Sequence, residues 1–500
     1  MTTPTNPPAT PTYILRGHAA QIHSLHLYHH NLRLLSGDAD GWIAVWDLVS
    51  KRAVAVWKAH DGAVLGVHAR FRGCAGSGSG SGGSTEVYTH GRDHKLRVWR
   101  FSGAEEGYLR RALPVDFGGA AAAAAAAAGP AAGNLGGEGG EGGTGRQPWL
   151  VHSLPVNALN FCAFAWVDLS PLRSIPVPLI GNWGGGAEGQ GEGAVSEPKP
   201  EPEPEPEPEP SSQDKSTSIS TPTSPVLIAV PNALNSGAID LFHLPTERRV
   251  CTIPADGAVK TGMVMALHLF LRPAERDLHV AAAYEDGSVM VFRSPISFQR
   301  LAPQQQQQQN SAPGTWKWEK LYASRAHDQP VLSIDAAPSG EWVFSSAADA
   351  KVVMHPFVRR AEAGREQLLP AKVVNTRHAG QQGLRVRSDG RILATAGWDS
   401  RVRVYSCKTL KEVAVLKWHK EGCYAVAFAG VGSGGQGDGA GVVGEGEGEG
   451  EGEGERTLTE TQGKGGLSAV HQRLRNQKVQ NTHWLAAGSK DGKISLWDIY

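Results

Sequence analysis

The stretch that decides the fold is Leu34-Leu35-Ser36-Gly37-Asp38-Ala39-Asp40-Gly41-Trp42-Ile43-Ala44-Val45-Trp46-Asp47. An apolar pair leads to a serine, then to an Asp-Gly turn, and then to an alternating run that ends in Trp-Asp. Asp-Gly between two β-rich runs favours a hairpin, because such a turn needs residues with positive φ. The alternation gives the second strand one buried and one exposed side. A second copy closes the chain, as Leu485-Ala486-Ala487-Gly488-Ser489-Lys490-Asp491-Gly492-Lys493-Ile494-Ser495-Leu496-Trp497-Asp498.

This hairpin unit recurs along the chain with a fixed internal spacing. The turn aspartate and the residue that ends the strand are six positions apart in every copy. The pairs are Asp40/Trp46, Asp93/Trp99, Asp286/Phe292, Asp349/His355, Asp399/Tyr405 and Asp491/Trp497, with a degenerate pair, Ser236/Phe242, between the second and third. Such self-similarity is typical of repeat folds in which neighbouring units bury a common core.

A histidine precedes most copies, four residues before an expected strand. These histidines are His18, His60, His152, His327 and His419, and His378 holds the equivalent place in the sixth copy. A buried imidazole, a buried carboxylate and an indole N–H each need a partner. We therefore expect these groups to hydrogen-bond to one another within each repeat.

The Gly17-His18 and Trp46-Asp47 pairs and the expected four strands per repeat resemble the WD-repeat family of β-propellers. The resemblance implies one hydrogen-bonded set per blade, made of the histidine, a strand Ser or Thr, the turn aspartate and the tryptophan. The implied sets are His18, Ser36, Asp40 and Trp46 in blade one; His60, Thr89, Asp93 and Trp99 in blade two; His327, Ser345 and Asp349 in blade five, with His355 for tryptophan; His378, Thr395 and Asp399 in blade six, with Tyr405 for tryptophan; and His419, Asp491 and Trp497 in blade seven, with Ala487 for the hydroxyl. Blades three and four depart furthest from the pattern.

The two ends of the chain complete the seventh blade in this interpretation. The chain stops at the end of a third strand, Trp497-Asp498-Ile499-Tyr500, while Thr12-Tyr13-Ile14-Leu15 has no earlier blade to join. We expect the N-terminal run to supply the missing fourth strand, which would leave no open edge. The predicted fold class is all-β, a seven-bladed WD-repeat propeller closed by its N-terminal strand.

Low-complexity inserts interrupt the repeats. We predict a disordered N-terminus over 1–11 and a propeller over 12–500, with disordered inserts at 73–84, 103–147, 181–225, 303–313 and 430–480. Their Gly/Ser, poly-Ala, Glu-Pro, poly-Gln and Glu-Gly contents cannot bury enough apolar surface to offset the entropy of ordering. One interpretation of the inserts is neutral sequence drift in surface loops that tolerate insertion. Another is phosphorylation, at Ser212-Gln213, Thr221-Pro222, Ser224-Pro225 or Thr461-Gln462.

Composition excludes several classes of function. Lysine plus arginine equals aspartate plus glutamate, 49 against 49, so no basic excess favours direct nucleic-acid binding. The five cysteines contain no CxxC pair, which fits a reducing compartment. The longest uncharged apolar run, the alanines at 120–128, is too short to span a bilayer, and no secretory signal is visible. We expect a soluble, intracellular protein without membrane contact.

No pattern predicts an enzyme, a cofactor or a metal site. The chain contains no GxxxxGK[ST], GxSxG or HExxH motif. The cluster His23, His26, His29 and His30 could suggest a metal, but His23 and His26 point to opposite faces of a strand. No cysteine or carboxylate joins that cluster. We therefore expect a non-catalytic protein-binding scaffold.

Residues beside the turn aspartates should project from one face of the disc. The candidate partner-binding residues are Trp42, Arg92, Trp398 and Lys490. Tryptophan and arginine are enriched at interface hot spots. Local packing over a neighbouring loop is the competing interpretation for Trp42 and Trp398.

Several stretches resemble a narrower family. They are 13–18, 36–48, 52–60, 89–96, 396–405 and 485–494, and together they are similar to the fungal ASTRA-associated protein 1 family. The resemblance implies a nuclear subunit of the ASTRA complex, linked to chromatin remodelling. It also implies work with co-chaperones in the maturation of phosphatidylinositol-3-kinase-related kinases.

Two alternatives remain open at this level. One is a substrate receptor of a cullin-type ubiquitin ligase, although the Trp-Asp-x-Arg signature of such receptors is missing after both Trp46-Asp47 and Trp497-Asp498. The other is a different WD-repeat scaffold. A propeller enzyme would need converging acids in its channel, whereas the repeat aspartates are already committed to turns.

Overall fold

Seven four-stranded antiparallel sheets form the molecule, and this arrangement confirms the predicted seven-bladed propeller. The computed structural model describes residues 9–73, 83–116, 146–158, 161–173, 225–296, 316–356, 369–431 and 466–499. Most residues of the predicted disordered N-terminus and inserts lie outside these described residues, as do Ser212, Thr221, Ser224 and Thr461 of the candidate phosphorylation pairs.

The first three blades take their strands from consecutive parts of the chain, after the N-terminal strand β1 (Tyr13–Leu15). Blade one contains β2 (Ile22–Tyr28), β3 (Arg33–Asp38), β4 (Trp42–Asp47) and β5 (Arg52–Lys58). Blade two contains β6 (Val64–Arg72), β7 (Ser84–Gly91), β8 (Lys95–Ser102) and β9 (Trp149–Pro155). Blade three contains β10 (Ala165–Asp168), β11 (Val226–Pro231), β12 (Ile239–Leu244) and β13 (Arg248–Ile253), with the short helix α1 (Ser170–Arg173) after β10.

The last four blades continue the same order. Blade four contains β14 (Val264–Arg272), β15 (Asp277–Tyr284), β16 (Ser288–Pro295) and β17 (Glu319–Arg325). Blade five contains β18 (Val331–Ala336), β19 (Trp342–Ala347), β20 (Lys351–Pro356) and β21 (Lys372–Asn375). Blade six contains β22 (Gln381–Val386), β23 (Ile392–Gly397), β24 (Arg401–Ser406) and β25 (Glu412–Lys417). Blade seven contains β26 (Cys423–Phe428), β27 (Trp484–Ser489) and β28 (Ile494–Asp498), with helix α2 (Gly466–Asn481) between β26 and β27.

Ring closure occurs as predicted, by the N-terminal strand. β1 pairs antiparallel with β28, with Tyr13 opposite Leu496 and Leu15 opposite Ile494. The backbone N–H of Thr12 adds a hydrogen bond to the Leu496 carbonyl, at 2.8 Å. The fourth strand of the last blade therefore comes from the other end of the chain, and the edge of β28 is paired rather than open.

The cores lie between neighbouring blades. One buried cluster joins blade one to blade seven and includes Leu15, Trp42, Trp46 and Ile494. Alternation along β4 explains its composition, because Trp42, Ala44 and Trp46 share one side of that strand. The same inward-facing pattern links blade one to blade two through Trp57 and Trp99, whose ring centroids are 5.9 Å apart.

All of the long connections leave the propeller on one face. In each blade the first strand along the chain (in blade seven β26, since β1 serves as its fourth strand) lies nearest the central channel and is called the inner strand. It starts at the face that carries the turn aspartates, which we call the short-loop face. It ends at the opposite face, which we call the insert face. Connections between inner and second strands, and between third and outer strands, therefore lie on the insert face. The undescribed segments 74–82, 117–145, 174–224, 297–315, 357–368 and 432–465 all join strands in these two ways.

Two predicted insert boundaries and the predicted place of His152 are wrong. The insert predicted from 103 begins with described structure, two 3-10 turns at Glu106–Tyr108 and Pro114–Asp116, and Leu109 is buried. The insert predicted to reach 480 ends in α2, whose Val479 is buried and whose Gln480 carbonyl accepts a hydrogen bond from Asn31. His152 lies inside β9, bonded to Glu247, so it does not lead blade three.

Candidate partner-binding face and the blade cores that support it

Blade two assembles the whole expected set of polar groups. His60 Nδ1 lies 2.9 Å from Asp93, and Nε2 lies 2.8 Å from the Thr89 hydroxyl. The Trp99 indole N–H donates to the same hydroxyl, at 3.1 Å. Burial opposes ionisation of Asp93, but the hydrogen bond to His60 and the charges of His60 and Arg97 lower the pKa of that carboxyl to about 2. The set thus fixes the turn aspartate to the strand behind it.

Blade one builds the same set with a different aspartate. His18 contacts Ser36 and Asp38, each at 2.7 Å, and the Trp46 indole N–H donates to Ser36 at 2.8 Å. Asp40 is exposed, so its predicted place in the set is wrong. β3 extends through Asp38, whose carboxylate accepts the backbone N–H groups of Asp40 and Trp42. The carboxylate nearer the strand therefore reaches the histidine.

Blade five keeps the set with a second histidine for the tryptophan. His327 lies 3.1 Å from Asp349 and 2.7 Å from Ser345. His355 Nε2 lies 2.8 Å from the Ser345 hydroxyl and its Nδ1 lies 3.0 Å from the Tyr322 hydroxyl. Burial, together with the charge of His327, lowers the pKa of His355 to about 3.

Blade seven keeps the hydroxyl on a neighbouring strand. Ala487 stands where the hydroxyl was expected, and its cross-strand partner is Ser495. Ser495 lies 2.8 Å from His419 Nε2 and accepts the Trp497 indole N–H at 2.8 Å. In blade one the same two places are taken by Ser36 and Ala44 in reverse. The exchange preserves the two hydrogen bonds of the hydroxyl, and a serine eight residues after Ala487 was the sequence signal for it. The predicted contact with Asp491 does not form, because His419 Nδ1 lies 3.8 Å from that carboxylate, which is bonded to Lys493 instead.

Blade six does not assemble its predicted set. His378 is half-exposed and lies 3.7 Å from Asp399, which is bonded instead to Arg403 at 2.6 Å. Gln381, fully buried, donates to the Thr376 hydroxyl at 2.6 Å and to the His378 carbonyl at 3.1 Å. The predicted role of His378 is wrong, because β22 starts three rather than four residues after it.

Blade three holds polar groups that the sequence pattern did not indicate. Asn157 donates to the Asn232 carbonyl at 2.9 Å, and the Asn232 amide donates to Asp240 at 2.8 Å. Thr252 donates to the other oxygen of Asp240 at 2.5 Å. This network stands where the repeat is degenerate, so spacing alone did not reveal it.

The turn glycines explain how the short-loop face is built. Gly41 has φ +87°, and a Cβ there would lie 2.0 Å from the His60 carbonyl oxygen of the next blade. Gly492 has φ +70°, and a Cβ there would lie 2.4 Å from the His18 carbonyl oxygen across the closed ring. Only glycine fits both the positive φ and the close approach. These two turns are therefore seated closely on the neighbouring blades.

The structure separates the four candidate partner-binding residues. Trp398 and Lys490 line one depression of about 510 Å³ on the short-loop face, together with Asp399, Ser400, Lys420, Glu421, Gly422 and Tyr424. Arg92 is exposed and lies over the Phe161 ring, 4.6 Å from its centroid. Trp42 is only 6% exposed, and its predicted role as an exposed anchor is wrong because it packs on the inner side of β4.

The central channel lies beside this depression, and Tyr424 lines both. Gln382, which accepts a hydrogen bond from the Trp398 indole, lines the channel. Its volume is about 610 Å³, and His23, His26 and His68 are among its lining residues. Burial lowers the pKa of His26 to about 4, although its Nε2 lies 3.1 Å from the Ala69 carbonyl. His29 stacks on Phe71 at 3.7 Å. Among the described residues, no group of three or more His, Cys, Asp or Glu side chains is placed to hold a metal ion.

The fold and the repeated polar sets define a WD-repeat β-propeller. The family model of the WD domain, G-beta repeat, matches residues 9–47, 318–355, 372–406 and 478–498. In the described part of the chain, no helix is long and apolar enough to cross a membrane.

Relatives of known family share nearly the whole chain. ASTRA-associated protein 1 of Aspergillus niger is 53% identical over 497 residues, which are 99% of this chain and 98% of that protein. The protein of the same name from Aspergillus flavus is 51% identical over 504 residues, all of both chains. The one from Schizosaccharomyces pombe is 27% identical over 84% of this chain and 93% of its own. The chain belongs to the ASTRA-associated protein 1 family, as its sequence stretches indicated.

Proposed function

We propose that this chain is a non-catalytic subunit of the ASTRA complex that binds another subunit through the depression around Trp398. The observation that carries the proposal is the exposed Trp398 ring, 49% accessible and set beside Lys490, on a protein of this family. Tryptophan is enriched among the residues that contribute most of the binding energy at protein interfaces. The proposed setting is the nucleus, with roles in chromatin remodelling and in the maturation of phosphatidylinositol-3-kinase-related kinases.

Three features of the short-loop face support docking there. Its turns are short and braced on neighbouring blades, so little conformational entropy is lost when a partner binds. The polar groups of the blades serve structure, which leaves the aromatic and charged residues of the turns for contact. The strand ends to which the long inserts are joined lie at the opposite face.

The test compares Trp398→Ala with Trp149→Ala in cells that carry the tagged chain as their sole copy. Trp149 is a matched control, because it is 58% exposed, donates its indole N–H to Glu105, and lies at the insert-face end of β9. Loss of an anchor should weaken partner capture by roughly thirtyfold, equal to about 2 kcal/mol. Thermal melts of both purified variants should match the parent chain.

Mass spectrometry of the captured proteins separates the outcomes. Recovery of ASTRA and co-chaperone subunits that is lost only with Trp398→Ala supports the proposal. Equal recovery with both variants removes this site. Recovery of cullin ligase adaptors in place of ASTRA subunits overturns the proposed assembly.

A further inference from the structure

Charge is distributed unevenly between the propeller and its inserts. Segment 174–224 contains nine Asp and Glu against two Lys, and segment 432–465 contains eight against two Lys and Arg. The remaining chain therefore holds 45 basic against 32 acidic residues, although the whole chain is neutral. The acidic segments are tethered to the insert face, and the depression lies on the short-loop face.

The two faces are far enough apart to act separately. The inner strand β26, which is joined to segment 432–465, has six residues and spans ~20 Å at ~3.3 Å per residue. The Debye length at physiological ionic strength is about 8 Å. Charges at the points where the acidic segments join the strands are therefore screened from the depression.

The depression itself offers cations at its rim. Lys420 and Lys490 are both exposed and both line it. Of the two carboxylates in the lining, Asp399 is bonded to Arg403 at 2.6 and 3.1 Å, and Glu421 is the other. The nearby Asp491 is bonded to Lys493 at 2.8 Å. The lysines thus set the sign of the charge that a ligand would meet.

The Trp398 ring is held in position before any ligand arrives. Its indole N–H donates to Gln382 at 2.7 Å, and its backbone N–H donates to the Gly380 carbonyl at 3.0 Å. Gly380 has φ +72°, and a Cβ there would lie 2.1 Å from the Trp398 ring. The ring therefore rests directly on backbone, and its outer side offers a fixed apolar contact.

We infer that the Trp398 depression receives an extended acidic segment of a partner protein, with an apolar side chain against the indole and anionic oxygens at Lys420 and Lys490. This inference rests on the proposed function and adds the chemistry of the partner. Carboxylates and phosphorylated side chains share the chemistry that the lysines recognise. The peptide experiment below therefore distinguishes carboxylates from phosphorylated side chains as the source of the anion.

The test measures binding of the full chain to three labelled twelve-residue peptides by fluorescence anisotropy. All carry one central leucine, flanked by glutamates in the first, glutamines in the second and phosphoserines in the third. The glutamate or phosphoserine peptide should bind at least about tenfold more tightly than the glutamine peptide at ~50 mM salt, and the difference should shrink at ~300 mM. Preference for glutamate assigns carboxylates as the source, and preference for phosphoserine assigns phosphorylation.

Charge reversal identifies the site. Lys420→Glu with Lys490→Glu should abolish the preference for the anionic peptide. The matched control is Lys408→Glu with Lys411→Glu, two exposed lysines of the β24–β25 connection on the insert face, and it should keep the preference. Equal loss in both double variants would overturn the inference.

Failure of the inference and failure of the proposed function give different results. Equal binding of all three peptides that is lost in Trp398→Ala keeps the site and rejects acidic recognition. No binding by any peptide up to ~1 mM also rejects it, since a contact weaker than about 4 kcal/mol would not hold a subunit. Affinity and anionic preference that survive both Trp398→Ala and the double change Lys420→Glu with Lys490→Glu place recognition elsewhere and remove the proposed site.

Discussion

Blade two and blade six both have a histidine, a threonine, a turn aspartate and an arginine in the same order, and they use the histidine differently. In blade two, His60 lies four residues before β6 and bonds to both Thr89 and Asp93. In blade six, His378 lies three residues before β22 and is half-exposed. Buried Gln381 donates a hydrogen bond to the Thr376 hydroxyl instead. A shift of one residue before the strand moves the imidazole from the blade core to the surface.

The difference teaches that a blade can hold its turn aspartate without a particular histidine. Both blades hold the turn aspartate with an arginine four residues later, Arg97 in blade two and Arg403 in blade six. The histidine is therefore an additional support in blade two and is dispensable in blade six. Substitutions in the two blades should separate these roles.

The largest effect is expected from His60→Ala. The change removes both hydrogen bonds of a buried ring and leaves the Asp93 carboxylate with fewer partners, so the free energy of unfolding should fall by about 3 kcal/mol or more. Urea unfolding followed by circular dichroism measures it. A loss below about 1 kcal/mol would mean that Arg97 alone supports the turn.

The next effect concerns the exchanged hydroxyl of blade seven. Ser495→Ala should cost about 1–3 kcal/mol, because His419 and Trp497 both lose their shared partner. Adding Ala487→Ser should restore part of the loss, since residue 487 lies directly opposite residue 495. Failure of the second change to restore any stability would show that the two places are not equivalent.

Acid should have an effect whose size depends on how far the pH falls. Burial lowers the pKa of His355 to about 3 from an ordinary 6.5, so the folded state favours the neutral ring. The unfolded chain takes up a proton below pH 6.5, and stability that is fully present above this pH is lost as pH falls toward 3, by at most about 1.4 kcal/mol per pH unit.

His355→Gln keeps a hydrogen-bonding side chain beside Ser345 and cannot titrate. Its melting temperature should therefore fall less than that of the parent chain between pH 6.5 and 4. The exposed His471→Gln serves as the control. Parallel curves for parent and His355→Gln would contradict the expectation.

The smallest effect is expected from His378→Ala. The side chain is 42% exposed and lies 3.7 Å from a carboxylate that Arg403 already holds. The free energy of unfolding should change by less than about 0.5 kcal/mol, as for most surface substitutions. A cost similar to that of His60→Ala would return His378 to the blade core and erase the contrast between the two blades.

Repeat spacing was sufficient to predict the number of blades and the closing strand. The hairpin signal recurs with a fixed interval, and an unpaired first strand and an incomplete last blade leave one simple solution. The same spacing could not choose between Asp38 and Asp40, because both flank the turn and only the extent of β3 decides which faces His18.

The candidate site was only partly predictable. Trp398 lies within a turn, whereas Trp42 is the first residue of β4, so alternation buries Trp42 with Trp46. That alternation was visible in the sequence. It predicts burial of Trp42 more reliably than the position of Trp42 beside a turn aspartate predicts exposure. Helix α2 follows a Glu-Gly run, and its contact with the propeller rests on few groups, such as Val479, which gave little periodic signal.

The pairing of Tyr13 with Leu496 has a consequence for how the protein is made. A ribosome releases β1 first and β28 last, and at about 5–20 residues per second the interval between them is roughly 25–100 s. Throughout that time β1 has no partner strand, and the growing arc of blades has unpaired strand edges at both ends, which can pair with other chains. The ring can close only after β28 has been synthesised, so a stop codon before β28 leaves an open arc rather than a smaller ring.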